Sequence, residues 1–178
     1  MDAVKEPTDL QQYLTFFVAD EEYAMNILRV REIIEYDTLT TIPRAPKWIR
    51  GVFNLRGSVV PAVDLAIKFG LNKRPITKTT CIIIVEGQFE KQVTTLGVIT
   101  DSVSQVVDLS KENILPVPAF GTRIQVGYLL GMVEMGKKFV MVLDAEKVLS
   151  SDELLDRSEL SVLADSPGGG ASSSQRIE

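Results

Sequence analysis

Aspartates are the side chains of this 178-residue chain that come nearest to a set capable of chemistry. The sequence holds no histidine and a single cysteine, Cys81. Without histidine, no Ser–His or Cys–His nucleophile can form, and the usual zinc ligand sets are incomplete. The aspartates beside apolar segments share neither helical nor calcium-loop spacing; they are Asp64, Asp101, Asp108 and Asp144. We therefore predict that the chain is not an enzyme and has no catalytic, metal-binding or cofactor-binding residues.

Two of these aspartates have a simpler, structural interpretation. Asp64 and Asp144 each precede a short apolar segment, 65–69 and 145–149. Aspartate is a preferred N-cap residue, because its carboxylate accepts hydrogen bonds from the first free N–H groups of a helix. The sequence therefore predicts two short helical turns.

Composition limits the classes of partner. The chain is 45% hydrophobic and 24% charged, which is typical of a globular protein. Its net charge is −5, and it has no basic cluster that could neutralise phosphates, so we expect no nucleic-acid partner. No apolar run approaches the roughly 20 residues of a membrane span. The polar N-terminal segment is unlike a signal peptide, so we expect a cytoplasmic protein without direct membrane insertion.

Short apolar segments separated by turn residues predict an all-β protein. The predicted strands are 13–18, 30–36, 51–55, 59–63, 81–85, 93–99, 103–109, 128–134 and 139–143. An internal repeat accompanies them. Residues 30–35 align with 103–108, and residues 59–64 align with 139–144 in the same order. Two copies of one strand pattern indicate two similar β-domains.

The most distinctive segment is a predicted hairpin with Arg56 at its tip. Gly57 can supply the positive φ that a tight hairpin turn needs. Pro61 cannot donate a ladder hydrogen bond, so we expect its strand at a sheet edge or a bulge. Taken alone, an arginine at a loop tip is most simply a solvated turn residue.

This hairpin resembles that of the CheW family of chemotaxis coupling proteins. The residues that fit the family pattern are Gly51, Asn54, Arg56, Gly57, Pro61, Asp64 and Leu65. The resemblance extends over about residues 10–155, with a longer and more polar segment at 86–95. It implies two five-stranded SH3-like β-barrels packed side by side. Beside the short helical turns, Ser150 and Glu153 have capping-box spacing, which predicts a C-terminal helix. We expect the first barrel at 20–78, the second at 10–19 with 79–150, the helix at 151–164 and a disordered tail at 165–178.

The resemblance also implies a role in bacterial signal transduction. It is that of an adaptor that couples chemoreceptors, the methyl-accepting chemotaxis proteins, to the histidine kinase CheA. The implied partners are the regulatory domain of CheA and the cytoplasmic tip of the receptors, at membrane receptor arrays. One alternative is a CheW-like domain protein of a related, non-flagellar pathway. Another is a small-molecule-binding barrel, which would need an enclosed cavity that small barrels rarely provide.

Two sets of site residues follow from the resemblance. The expected receptor-binding residues are Val30, Glu32, Ile33, Asn54, Arg56, Gly57, Gly97, Val103 and Val106. The expected kinase-binding residues are Leu39, Thr40, Arg50 and Gly51, with Leu39 exposed beside the glycine. In an alternating strand, half of the four receptor-set Val and Ile side chains belong to the core, and the sequence does not separate the faces.

Overall fold

A computed structural model describes residues 10–89, 92–118 and 126–149. The expected C-terminal helix at 151–164 and tail at 165–178 lie outside these residues. The strands are β1 (Leu10–Val18), β2 (Glu21–Asn26), β3 (Val30–Glu35), β4 (Ile49–Leu55), β5 (Ser58–Asp64), β6 (Cys81–Phe89), β7 (Gln92–Thr100), β8 (Ser102–Ser110), β9 (Leu129–Met135) and β10 (Lys138–Leu143). The short helices are α1 (Leu65–Lys68) and α2 (Ala145–Leu149), and one-turn 3-10 helices cover Ile27–Arg29, Lys111–Asn113 and Val126–Tyr128.

The strands form two five-stranded sheets, as the sequence predicted. The first sheet has the order β3-β6-β7-β5-β4 and the second has the order β8-β1-β2-β10-β9. Each sheet contains one parallel pair, β5 with β7 and β10 with β2, and its other pairs are antiparallel. The repeat maps β3, β4 and β5 onto β8, β9 and β10. The N-terminal hairpin β1–β2 therefore takes the place in the second sheet that β6–β7 takes in the first.

The two sheets divide the chain differently from the expected barrel boundaries. The expectation placed residues 20–78 in the first barrel, but β2 belongs to the second sheet. It placed residues 79–150 in the second barrel, but β6 and β7 belong to the first sheet. The physical reason is the way the strands pair. A two-residue turn at Ala19-Asp20 keeps β2 beside β1, and β6 pairs with both β3 and β7.

The two ends of each sheet are drawn together by one backbone bridge. In the first sheet, Thr40, which follows β3, exchanges two hydrogen bonds of 2.9 Å with Val52 in β4. In the second sheet, Leu115 and Met132 exchange bonds of 2.7 and 2.8 Å. A glycine stands beside each bridge, because a Cβ atom on Gly51 would lie 2.5 Å from the Thr40 carbonyl oxygen. The repeat therefore extends to the way each sheet curls.

The core has three parts, which the alternation of side chains along the strands separates. Ile82 and Ile84 of β6 point into the interior of the first sheet, together with Ala62 and Ile99. The interior of the second sheet holds a similar small cluster around Val140 and Val142. The largest cluster draws on both sheets, and we call it the shared core. Its buried residues are Leu14, Phe16, Val18, Tyr23, Met25, Trp48, Ile49, Val63, Leu65, Ala66, Phe69, Ile83, Val85, Leu96, Val98, Tyr128, Leu143, Ala145 and Val148.

Aromatic rings from both halves of the molecule pack together in the shared core. Phe69 of the first sheet's half packs 5.5 Å from Tyr23 and 5.9 Å from Tyr128, measured between ring centroids. The ammonium group of Lys68 lies 3.7 Å from the ring centroid of Trp48 and 5.5 Å from that of Tyr128. Cation–π attraction of this kind strengthens when the cation is desolvated, and Lys68 is buried.

Pro61 does not mark an edge strand, contrary to the expectation. β5 lies between β7 and β4. The proline is tolerated because it lies opposite Val52, whose N–H and C=O bond to Thr40, and because the parallel ladder with β7 begins only at Ala62. The bulge is on the neighbouring strand, between Ile49 and Gly51.

We predict that Gly131→Ala lowers the free energy of unfolding by about 1–3 kcal/mol, as overpacking against a fixed backbone does. The new Cβ would lie 2.4 Å from the Leu115 carbonyl oxygen, which is held by the bridge to Met132. Gly127→Ala is the matched control, because a Cβ there meets nothing within 4 Å. Denaturant unfolding of both variants checks this, and equal midpoints would contradict it.

Candidate partner-binding surfaces

The tip of the β4–β5 hairpin is a two-residue turn in which both residues have positive φ. Arg56 has φ +52° and Gly57 has φ +89°, and the flanking residues Leu55 and Ser58 pair directly. This is the type I′ pattern, whose hand matches the twist of the strands. The Asn54 side chain accepts a hydrogen bond of 3.0 Å from the Gly57 N–H. A left-handed conformation is unfavourable for arginine, and Asn54 helps to hold it.

The Arg56 guanidinium forms a bidentate ion pair with Glu32 of β3. Nη1 lies 2.6 Å from Oε2, and Nη2 lies 2.6 Å from Oε1. Two parallel N–H···O bonds fix the orientation of both groups, which a lysine could not do. The pair joins the hairpin tip to β3, the strand at the opposite end of the sheet order. Sequence spacing gave no sign of it, because 24 positions separate the two residues.

The pair changes the proton affinity of both groups. The hydrogen bond from Arg56 is the largest cause that lowers the pKa of Glu32 below its ordinary value, and the charges of Arg56 and Arg31 lower it further. The same hydrogen bond raises the pKa of Arg56. Both groups are therefore charged at neutral pH.

Bulges in β3 and β8 decide which way the expected receptor-binding apolar residues face. Val30 pairs with Val85 and Ile33 pairs with Ile83, because the ladder skips one residue between them. In β8, a skipped residue likewise lets Val103 pair with Phe16 and Val106 pair with Leu14. A bulge shifts the alternation by one, so residues three apart share a face.

All four side chains therefore lie on the faces that carry the shared core, and none is lost to a sheet interior. Val30 and Val103 are half-buried and pack against the shared core. Ile33 and Val106 continue the same faces outward and are 43% and 49% exposed. We call Val30, Ile33, Val103 and Val106 the apolar rim. Half of the set packs against the core and half is exposed, which agrees with the expected division, although the bulges place all four side chains on the shared-core side of their strands.

Gly97 does not lie on this surface. It is buried in β7, and a Cβ atom there would lie 2.7 Å from Ile82 and 2.9 Å from the ring of Phe53. Its absent side chain leaves room for Phe53 to pack across the strand. Its expected place among the receptor-binding residues is corrected to a packing role beneath the surface.

The expected kinase-binding residues are brought together, but most of them are turned inward. Gly51 is buried against the backbone of Thr40. Leu39, expected to be exposed, is half-buried and packs against the interior cluster of the first sheet. Arg50 pairs with Asp64, with Nη1 2.6 Å from Oδ2, and their side chains are 14% and 4% exposed. The Thr40 side chain is the exposed member of the set.

The aspartates expected to be N-caps have that role. Asp64 accepts a hydrogen bond of 3.3 Å from the Ile67 N–H at the start of α1. Asp144 accepts bonds of 3.1 and 3.3 Å from the N–H groups of Glu146 and Lys147 in α2. Within residues 10–89, 92–118 and 126–149, no group of three acidic, cysteine or histidine side chains could hold a metal ion.

These features define a scaffold of two repeated SH3-like sheets, with an exposed apolar rim and an oriented ion pair as its surface features. The family model of the CheW-like domain matches residues 12–153. The chain therefore belongs to the CheW family of chemotaxis scaffold proteins. In the part of the chain that the structure describes, no helix has the length and apolar character needed to cross a membrane.

Individual relatives agree with this assignment. The chain is 38% identical over 144 residues to the chemotaxis protein CheW of Klebsiella aerogenes, with 81% of this chain and 84% of the relative covered. It is 28% identical over 144 residues to protein FrzA of Myxococcus xanthus, covering 79% and 86%. The crystal structure of the scaffolding protein TtCheW from Thermoanaerobacter tengcongensis superimposes with a TM-score of 0.70 at 29% identity, covering 80% of this chain and 94% of that one.

We predict that the carboxyl pKa of Glu32, measured by NMR titration, lies below the ordinary glutamate value and returns toward it in Arg56→Ala. The ion pair stabilises the folded chain above the unfolded-state pKa of Glu32, and this stabilisation is lost as pH falls through the lowered folded-state pKa. Arg29→Ala is the control, because Arg29 pairs with Glu146 instead. An unchanged Glu32 pKa in Arg56→Ala would contradict the bidentate pair.

Proposed function

We propose that this scaffold couples chemoreceptors to the histidine kinase CheA, by binding the cytoplasmic tip of the receptors and the regulatory domain of the kinase. Membership of the CheW family supports the role. In this proposal the chain acts in the cytoplasm and reaches membrane receptor arrays through its partners. It contributes binding surfaces and no chemistry of its own.

The observation that carries the proposal is the Arg56 side chain, which Glu32 orients at the surface while the Arg56 backbone has an unfavourable positive φ. The second sheet solves the same turn with Gly136 at the equivalent position, where φ is +66°. The fold therefore does not require arginine at a hairpin tip. Strained residues persist where the surroundings fix them, and they cluster at functional sites. An oriented guanidinium on the surface is suited to binding a polar group of a partner.

The apolar rim supplies the second half of the receptor surface. Ile33 follows Glu32 on β3 but faces the side of the shared core, because neighbouring side chains of a strand alternate, so the rim and the ion pair lie on the two sides of one strand. An amphipathic helix binds by placing apolar side chains against such a surface, and the proposal assigns a receptor helix to it. Val30, Ile33, Val103 and Val106 would receive the apolar face, and Arg56 with Asn54 and Gly57 would mark its polar edge.

The kinase surface is proposed at Thr40, on the curled edge of the first sheet. Leu39 and Arg50 shape this edge from within, through the interior cluster and the Asp64 ion pair. Gly51 allows the Thr40 backbone to approach closely. The proposed role of these three residues is to position the surface rather than to touch the kinase.

One relative with a different name bears on the alternative of a related, non-flagellar pathway. Protein FrzA is 28% identical to this chain, whereas the Klebsiella aerogenes CheW is 38% identical. The higher identity favours the chemotaxis adaptor over a CheW-like protein of a related, non-flagellar pathway.

We predict that Arg56→Ala binds the kinase with unchanged affinity but loses receptor control of kinase phosphorylation. Arg56→Lys should restore it only in part, because the planar donor fork is missing. The experiment reconstitutes receptor, kinase and each variant, and measures kinase affinity, melting temperature and receptor-stimulated phosphorylation. Lys137→Ala, at the tip of the β9–β10 hairpin, is the matched control. Full receptor control in Arg56→Ala would overturn the role of Arg56, and failure of the unmodified chain to support control would overturn the proposed function.

We predict that Thr40→Glu weakens kinase binding while the melting temperature changes little. The Thr40 hydrogen bonds to Val52 use backbone atoms, so the bridge is kept and only the exposed side chain changes. Leu39 is a poorer probe, because a charge there would enter the interior cluster. Titration with the kinase regulatory domain checks this against Lys78→Glu, an exposed site outside the surface. Equal affinities of the two variants would remove Thr40 from the kinase surface.

A further inference from the structure

The chain passes between the two sheets twice, and the second passage is a single residue. The first passage is the 3-10 turn Ile27–Arg29 between β2 and β3. The second is Asp101, since β7 of the first sheet ends at Thr100 and β8 of the second sheet begins at Ser102. A one-residue connection has two soft backbone dihedral angles, so whatever fixes Asp101 constrains how the sheets are joined.

The main chain of Asp101 is bonded to both sheets. Its N–H donates to the Phe17 carbonyl oxygen in β1 of the second sheet, at 2.9 Å. Its carbonyl oxygen accepts from the Thr79 hydroxyl, at 2.8 Å, in the segment that leads into β6 of the first sheet.

The carboxylate of Asp101 repeats this pattern. Oδ2 accepts from the Ala19 N–H at 2.8 Å, in the β1–β2 turn of the second sheet. It also accepts from Arg74 Nε at 3.3 Å, in the segment between α1 and β6 of the first sheet. Arg74 reaches further to Asp20, with 3.8 Å between Nη2 and Oδ1. One side chain therefore ties the two halves of the molecule at the point where the chain crosses.

The turn that Asp101 holds is itself unfavourable. Ala19 and Asp20 have φ +53° and +71°, although neither is glycine. A carboxylate bonded to the Ala19 N–H stabilises this conformation from outside the hairpin. The side chains of Asp101 and Arg74 are 28% and 36% exposed, so the ion pair is only partly screened by solvent.

We infer that Asp101 is a positioning residue that fixes the angle between the two sheets, and with it the apolar rim. Val103 follows two residues after Asp101, while Val30 and Ile33 lie on the other sheet. The rim spans both sheets, so its four side chains keep one arrangement only if the sheets do. The consequence for receptor binding rests on the proposed function, whereas the fixed angle does not.

The test measures the distance between spin labels on equivalent, exposed positions of the two sheets, Ser58 and Lys138. Cys81→Ser in the full chain leaves the two introduced cysteines as the only labelling sites. The labelled chain that keeps Asp101 should give one narrow distance peak. In the Asp101→Ala variant a broad distance distribution should replace this peak. Arg31→Ala is the control, because its pair with Glu86 lies within the first sheet. A narrow, unshifted peak in Asp101→Ala would overturn the inference.

Milder variants keep the test decisive if Asp101→Ala does not fold. Asp101→Asn and Arg74→Ala remove the charge pair and retain the backbone bonds, and each should broaden the peak without a matching loss of kinase affinity. If both leave the distribution narrow, the inference is wrong. Binding of a soluble receptor-tip fragment to the unlabelled variants then separates the positioning role of Asp101 from the proposed receptor site. A broad distance distribution with undiminished receptor affinity would support the positioning role of Asp101 and contradict a receptor site that spans both sheets.

Discussion

The structure depends on the burial of both faces of two inner strands, β1 in the second sheet and β6 in the first. Along β6, Ile82 and Ile84 fill one interior while Ile83 and Val85 enter the shared core. A strand that is apolar on both faces needs cover on both, and a single small curled sheet covers only one. Each sheet therefore requires the other. Mutual burial also explains why polar exceptions such as Lys68 are enclosed by aromatic rings rather than exposed.

This mutual burial gives a reason for the permuted topology. Each sheet contains one two-faced hairpin, β1–β2 in the second sheet and β6–β7 in the first, and the chain crosses to the other sheet after each of them. The two crossings lie immediately before β3 and β8. The apolar rim lies on those two strands, so its geometry depends on how the two sheets are joined there. The surface lies at the margin of the shared core, so the packing beneath it supports each side chain.

Much of this architecture follows from short-range patterns, and the remainder depends on long-range pairing. Alternation and turn residues predicted nine of the ten strands, both helical turns and the N-caps Asp64 and Asp144. β2 was missed because Glu21 and Glu22 extend the polar turn into the strand. The barrel boundaries could not be predicted, since strand pairing across sequence distance decides them. The Glu32–Arg56 and Arg50–Asp64 pairs could not be predicted for the same reason. The facing of the Val and Ile side chains on β3 and β8 could not be predicted because one-residue bulges interrupt the alternation of those strands.

The internal repeat separates what the fold needs from what a partner needs. Where the copies agree, a structural reason is present in both: Gly51 and Gly131 each admit a backbone carbonyl at a sheet edge, and their neighbours form the same bridge. Where the copies differ, one of the two sheets forms without the residue, so the fold does not require it. Arg56 belongs to this second kind, because Gly136 makes the equivalent turn without strain. The second sheet makes its turn without a counterpart of the Arg56–Glu32 pair, so a turn of this kind does not need that pair for folding. In the proposed function, its contribution belongs to the surface that the first sheet presents.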